Sequence, residues 1–194
     1  MIIINKANIF NEDMIKDVEL VEYFNYKEDL ILVERDTFSA FKMLQANLKI
    51  KGINIDIESG YRSLEKQESI FLDYYRKEKD YLNKVAMPGF SEHHLGTSID
   101  LAVFDKGKWI SNKEELLNLI EPFKIIHKEM INYGFILRYP KGKEEETGYV
   151  YMPWHLRYVG IDISLKIRDS ILENIWYNWC REMSLYGGVI IWTN

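Results

Sequence analysis

Three of the four histidines in this sequence fall in two short segments, and a carboxylate stands near one of them. One segment is Pro88-Gly89-Phe90-Ser91-Glu92-His93-His94-Leu95-Gly96-Thr97-Ser98-Ile99-Asp100. The other is Met152-Pro153-Trp154-His155-Leu156-Arg157-Tyr158. Imidazole and carboxylate are common ligands of zinc, and a catalytic zinc site takes three of them and keeps a fourth position open. His93 precedes Asp100 by seven positions, with Gly96 between them to let the backbone turn. A loop histidine and a strand aspartate can therefore converge on one ion. His155, 55 residues beyond Asp100, would arrive from a neighbouring strand. His93 and His94 point apart in an extended chain, so one of them at most is expected to bind the metal. Alone, the pattern does not decide. Surface-loop histidines, an Asp100 that caps a turn and a hydrogen-bonded core His155 would read the same way.

The elements that would position these residues follow from hydrophobic spacing. Asp36 and Thr37 are candidate caps of a helix carrying Phe38, Phe41, Leu44, Ala46 and Leu48, closed by Gly52. Ile53 to Ser59 alternates apolar and polar residues, which predicts a short strand with one wet face. Ser63 opens a second helix with Phe71, Tyr74, Tyr75, Tyr81, Leu82 and Val85 on its inner side, and Pro88-Gly89 marks a loop. Thr97 to Phe104 reads as a strand with Ile99, Leu101 and Val103 on one face and Ser98, Asp100 and Ala102 on the other. Ser111 or Asn112 caps a helical region reaching Tyr133, which Pro122 should kink or divide. Phe135 to Tyr139 and Tyr149 to Tyr151 are expected to pair as a hairpin across the solvated Lys141 to Glu146, leading into a strand from Trp154 to Val159. A last helix starts near Asp162. Strands and helices do not alternate strictly, so the expected class is α+β, with a mainly antiparallel sheet and packed helices.

A third segment, Ser59-Gly60-Tyr61-Arg62-Ser63 with Gln67, completes a set. Together the three segments resemble the VanY-like D-alanyl-D-alanine carboxypeptidases, zinc peptidases of the hedgehog/DD-peptidase fold. Ser59 to Ser63 and Gln67 match the first family motif. Ser91, His93, Gly96 and Asp100 match the second, with Ser98 where alanine is usual. Trp154 and His155 match the third, followed by Arg157-Tyr158-Val159-Gly160. The match runs from about residue 30 to 162, in the family's order and with its gaps. The resemblance implies His93, Asp100 and His155 as ligands of zinc (Zn2+). It implies Arg62 as the cation that holds substrate oxygen and stabilises the oxyanion, a task suited to a guanidinium fork. Gln67 and Ser91 are implied as contacts to the terminal residue and its carboxylate, and Trp154 as a wall of the pocket or a core residue. The implied ligand is a peptidoglycan stem peptide or another peptide ending in D-Ala-D-Ala.

One departure from the family pattern bears on activity. Three residues before the last zinc histidine the family has a glutamate that acts as general base and then acid. Here that position is Met152. A thioether cannot take up and return a proton, and general acid–base catalysis is worth about 10²- to 10⁴-fold. Glu92, beside His93, and the run Glu144-Glu145-Glu146 are the candidate substitutes. Two readings stay open: a zinc carboxypeptidase of the VanY-like type, or a zinc-containing peptide-binding protein with impaired catalysis.

The whole-chain sums narrow the setting. The 194 residues, 47% hydrophobic and 28% charged, fit one globular domain, with the family-like core at about 30–162 and a C-terminal helix and tail over 163–194. A net charge of −5 speaks against a nucleic-acid partner, whose binding rests on clustered positive charge. A lone Cys180 makes no internal disulfide, so a metal site would be His/Asp rather than thiolate. No membrane span is expected. The polar residues that follow Met1-Ile2-Ile3-Ile4 give no signal-peptide core, so a cytoplasmic location is the expectation for the sequence as given, and an extracytoplasmic one if it is cut from a longer protein. His127 is expected to be structural or exposed, and the aromatic tail from Trp176 to Trp192 to pack against the core.

Overall fold

The computed structural model describes residues 2–169. The aromatic tail expected to pack lies outside the described residues. The described chain runs β1 (Leu20–Phe24), β2 (Leu30–Glu34), α1 (Arg35–Ile50), β3 (Asn54–Ser59), α2 (Leu64–Lys77), β4 (Ser98–Asp105), β5 (Lys108–Ile110), α3 (Lys113–Leu117), α4 (Ile120–Met130), β6 (Phe135–Leu137), α5 (Glu144–Thr147), β7 (His155–Tyr158) and α6 (Ile161–Asp169). β1 and β2 form a separate antiparallel hairpin. The main sheet has the order β3-β4-β7-β6, with β5 folded back on β4, and every pairing in it is antiparallel. This is the α+β arrangement the sequence predicts.

β4 is the axis of the molecule. Its residues from Ser98 to Val103 are all buried, so both of its faces are covered. α1 packs on β3 and α4, and its Ala40, Phe41, Leu44 and Leu48 join Ile55, Ile57, Ile99, Leu101, Phe123, Ile126 and Leu156 in one core. Its cap is Glu34 rather than Asp36 or Thr37. The Glu34 carboxylate accepts from the Asp36 and Thr37 amides, satisfying donors that the first turn leaves open. Ser63 caps α2 as expected, its hydroxyl accepting from the Lys66 amide.

Four local expectations are corrected. The polar face of β3 is only partly wet: Asn54 is exposed, but Asp56 is buried and accepts a 2.7 Å hydrogen bond from the Tyr23 hydroxyl of β1. α2 does not lay its aromatic residues on the core; Gln67 is its one buried residue, while Tyr75 and Phe71 pack edge-on against Tyr81. The helical region after Asn112 divides at Asn118–Leu119, ahead of Pro122, which sits in the first turn of α4 where its missing N–H costs nothing. The hairpin between 135–139 and 149–151 does not form. β6 pairs with β7 instead; the Val150 amide is engaged elsewhere, donating to the Asn83 carbonyl, and the Met152 amide reaches only the end of the 135–139 segment, at the Tyr139 carbonyl.

Candidate metal centre and peptide cleft

Register places two of the three expected ligands opposite one another. Asp100 of β4 is the pairing partner of His155 of β7, and on its other side it pairs with Ser59 of β3. His93 arrives from a short 3-10 turn, Glu92–Leu95, just before β4. Ser91 caps that turn and Gly96 ends it in the left-handed region (φ 73°), the conformation that favours glycine. The three side chains are buried, with their candidate ligand atoms within 4.8 Å of one another.

The loop after β3 supplies the rest. Gly60 has to be glycine, because a Cβ there would lie 2.3 Å from the Leu32 carbonyl oxygen. Its own carbonyl accepts from His93 Nδ1 at 2.6 Å. Next along the chain, Arg62 is held at its backbone by the histidine pair: its amide donates to the His93 carbonyl, and its carbonyl accepts from His94 Nδ1 at 2.7 Å. His94 Nε2 in turn accepts from the Gly89 amide at 3.0 Å. With both nitrogens engaged, His94 is a clamp on the loops that flank the centre.

The Arg62 guanidinium makes three contacts, donating to Ser59 Oγ at 2.9 Å, Gln67 Oε1 at 3.3 Å and Asp100 Oδ2 at 2.5 Å. Gln67 Nε2 donates to the Ala86 carbonyl at 2.7 Å, so the amide that steers Arg62 is itself fixed. Ser91, Met152 and Trp154 line the same cleft of about 860 Å³, together with Tyr139, Tyr149 and Lys113. Trp154 is both wall and core, 4% exposed, with Lys113 Nζ 5.7 Å from its ring centre. Ser91 Oγ, besides facing the cleft, accepts from the His93 amide.

Electrostatics favour a cation among the three residues. Burial, and then the Arg62 charge, pull His93 down to about 4, so its ring is neutral at pH 7. The Gly60 carbonyl can only accept, so the His93 proton sits on Nδ1 and Nε2 presents a lone pair. That lone pair lies 3.3 Å from Asp100 Oδ2. Burial alone would raise the Asp100 carboxyl, but the Arg62 charge and the hydrogen bond from His155 hold it well below the usual range, so it is ionised. Two acceptors thus face each other without a proton between them, at the spacing of about 3.3 Å expected for neighbouring donors on a tetrahedral ion with bonds near 2.0–2.1 Å. His155 Nδ1 closes the group 2.9 Å from Asp100 Oδ1, while its buried Nε2 has no partner. The donor set fits zinc.

Neither candidate substitute for the missing glutamate reaches this centre. Glu92 is buried and accepts from Arg138 Nε at 3.1 Å; burial would raise its carboxyl, but the charges of Arg138 and Arg157 hold it low. Glu144, Glu145 and Glu146 form the exposed α5 and line no part of the cleft. Among the described residues the cleft's carboxylates are Asp29, Glu58 and Asp100, and Glu58 is engaged by the Tyr26 hydroxyl and Lys27. Burial raises the hydroxyls of Tyr139 and Tyr149, the latter to about 12, so neither supplies a base at neutral pH. His127, expected to be structural or exposed, is half-buried, with Nε2 donating to the Pro153 carbonyl at 2.8 Å.

The family model described as VanY, D-alanyl-D-alanine carboxypeptidase, matches residues 30–161, and the chain belongs to that family. Among curated relatives, the bifunctional D-Ala-D-Ala dipeptidase and D-Ala-D-Ala carboxypeptidase VanXYC of Enterococcus gallinarum is 38% identical over 132 residues, covering 62% of this chain and 65% of that one. A solved VanY D,D-pentapeptidase mutant in complex with Zn(II) is 28% identical with a TM-score of 0.70, covering 86% of this chain and 91% of that one. VanYB in complex with D-alanine-D-alanine is 28% identical with a TM-score of 0.71, covering 91% and 96%. The chain spans 51% to 65% of the lengths of four curated relatives it matches. No helix among the described residues is long and apolar enough to cross a membrane.

Proposed function

We propose that the chain binds peptides ending in D-Ala-D-Ala, the terminus of peptidoglycan stem peptides, at a zinc site made of His93, Asp100 and His155, and that its hydrolysis of them is impaired. The observation that carries this reading is Met152. It stands three residues before His155, buried in the cleft wall; of the cleft's other carboxylates among the described residues, Asp100 is a candidate ligand, Glu58 is engaged by Tyr26 and Lys27, and Asp29 sits exposed in the turn between β1 and β2. The relatives' D-Ala-D-Ala chemistry and Zn(II) support the choice of ligand and metal. Bound zinc supplies Lewis-acid polarisation of a peptide carbonyl.

The protein's own residues then have separable tasks. Arg62 is the cation nearest Asp100, and its planar fork suits a carboxylate or a developing oxyanion. Gln67 and Ser59 fix the plane of that fork. Ser91 offers a hydroxyl to the ligand's terminal carboxylate. Trp154, Tyr139 and Met152 exclude water from the floor of the cleft. What is missing is a group to take a proton from the attacking water and pass it to the leaving amine.

The test compares the zinc-loaded chain with Met152→Glu, using a D-Ala-D-Ala-terminated peptide and amino-acid release as the readout. Restoring the proton carrier should raise kcat by about 10²- to 10⁴-fold. Calorimetry should show both proteins binding the peptide. Equal turnover in the two would show that another base serves and would reject the impaired-catalysis reading. Absence of peptide binding in both would reject the ligand assignment.

A further inference from the structure

Glu92, once removed from consideration as a base, needs another account. Glu92 and Arg138 form an ion pair with side chains only 3% and 4% exposed. Breaking a buried pair is costly, yet replacing the whole pair with apolar groups is often neutral or stabilising, so its retention points to something other than net stability. The chain positions of the two partners suggest what that is. Glu92 is the residue before His93 and lies in the same 3-10 turn. Arg138 is the residue before Tyr139, and its guanidinium carbon stands 5.2 Å from the Tyr139 ring centre. Tyr139 packs its ring 4.9 Å from that of His155, and its carbonyl holds the Met152 amide. A second buried guanidinium, Arg157, lies two residues past His155 and donates to the Ile2 carbonyl at 3.0 Å.

The pair thus joins the turn that carries His93 to the segment that packs on His155, while Asp100 between them is fixed by sheet register. The His93 and His155 rings stand 5.0 Å apart at 76° with no direct bond between them. Nothing in the sheet ladder sets that separation, because His93 is outside it. We infer that Glu92 and Arg138 are positioning residues for the metal centre: their buried ion pair sets His93 against His155 at the spacing the ion requires. The inference rests on the zinc reading above. Metal sites tolerate ligand displacements of only about 0.2 Å, and partners outside the ligand set typically change metal affinity by about 10- to 100-fold.

The experiment measures zinc affinity by competition with a chromophoric chelator, with folding checked by circular dichroism at the same temperature. Its variants are Glu92→Gln, which keeps the shape and removes the charge, Glu92→Asp, which keeps the charge and shortens the reach, and Arg138→Met. The control is Leu48→Ala, a core truncation in α1, a helix that contributes nothing to the cleft. The expected result is zinc binding weakened by about 10- to 100-fold in Glu92→Gln and Arg138→Met, less in Glu92→Asp, and unchanged in folded Leu48→Ala. Wild-type affinity in the Glu92 and Arg138 variants would overturn the positioning role and leave the zinc reading standing. Equal weakening in Leu48→Ala would overturn it too, by showing that affinity follows general stability. A wild-type chain that binds no zinc would reject the zinc reading, and this inference with it.

Discussion

At the scale of single residues, Arg62 is where charge and geometry matter most. One guanidinium serves Ser59, Gln67 and Asp100 at once, which a lysine ammonium on a flexible stem cannot reproduce. Arg62→Lys should therefore keep the net charge and still weaken binding of a D-Ala-D-Ala peptide, by the ~1.5–3 kcal/mol of a hydrogen bond to a charged group. Calorimetry on the zinc-loaded variant measures it, and undiminished affinity would show that Arg62 holds Asp100 and not the ligand. His93, Asp100 and His155 stood out in the sequence as a candidate ligand set by residue type and spacing, whereas Arg62, Gln67 and Ser91 were singled out by the resemblance to the family motifs. Those that support them were not legible. His94, Arg138 and Tyr139 act through backbone carbonyls, ring packing and a buried partner 46 positions away, and no local pattern encodes such contacts.

At the scale of elements, the sequence pattern was most reliable for the core face of α1, where Phe41, Leu44 and Leu48 are buried, and for Ser63, which caps α2. It failed where tertiary contacts override alternation. Asp56 looked exposed because its neighbours alternate in polarity, and it is buried because a tyrosine from β1 reaches it. Tyr149 to Tyr151 has strand-forming residues, but the Val150 amide donates to the Asn83 carbonyl, so the segment stays outside the sheet and Tyr149 lines the cleft. The loop after β3 shows how tightly elements are fitted around the centre. Gly60 lies under the Leu32 carbonyl of β2, while its own carbonyl orients His93. Gly60→Ala forces a 2.3 Å contact with backbone that cannot be relieved by a rotamer change. The hairpin or the loop must move, and His93 loses its orienting acceptor. The expected outcome is a destabilisation above the ~1 kcal/mol typical of point mutants, together with weaker zinc binding. Thermal unfolding and chelator competition read the two effects separately; an unchanged Tm would show that the loop yields freely.

At the scale of the whole molecule, the half-buried histidine of α4 links the sheet's chemistry to acid stability. His127 is neutral in the folded protein because burial lowers it from 6.5, more than its bond to the Pro153 carbonyl raises it. A base with a depressed folded-state value binds fewer protons folded than unfolded. Stability is therefore complete above the unfolded value near 6.5 and falls as pH drops below it toward the folded value. His127→Gln, which can still donate to the Pro153 carbonyl but does not titrate, should flatten that part of the metal-free protein's stability profile. Urea unfolding between pH 7 and pH 5 checks this, and an unchanged slope would assign the acid sensitivity to other groups. Metal linkage acts on the same equilibrium from the other side. The folded centre sets an imidazole lone pair against an ionised carboxylate, an arrangement that the extended chain does not enforce. Zinc at 100 times its Kd should add about 2.7 kcal/mol to folding. Titrating a chelator into the zinc-loaded chain should then lower Tm in step with free zinc, and more in wild type than in His93→Ala, whose centre lacks the opposed lone pair. A chelator effect of equal size in both proteins would place the stabilising ion elsewhere.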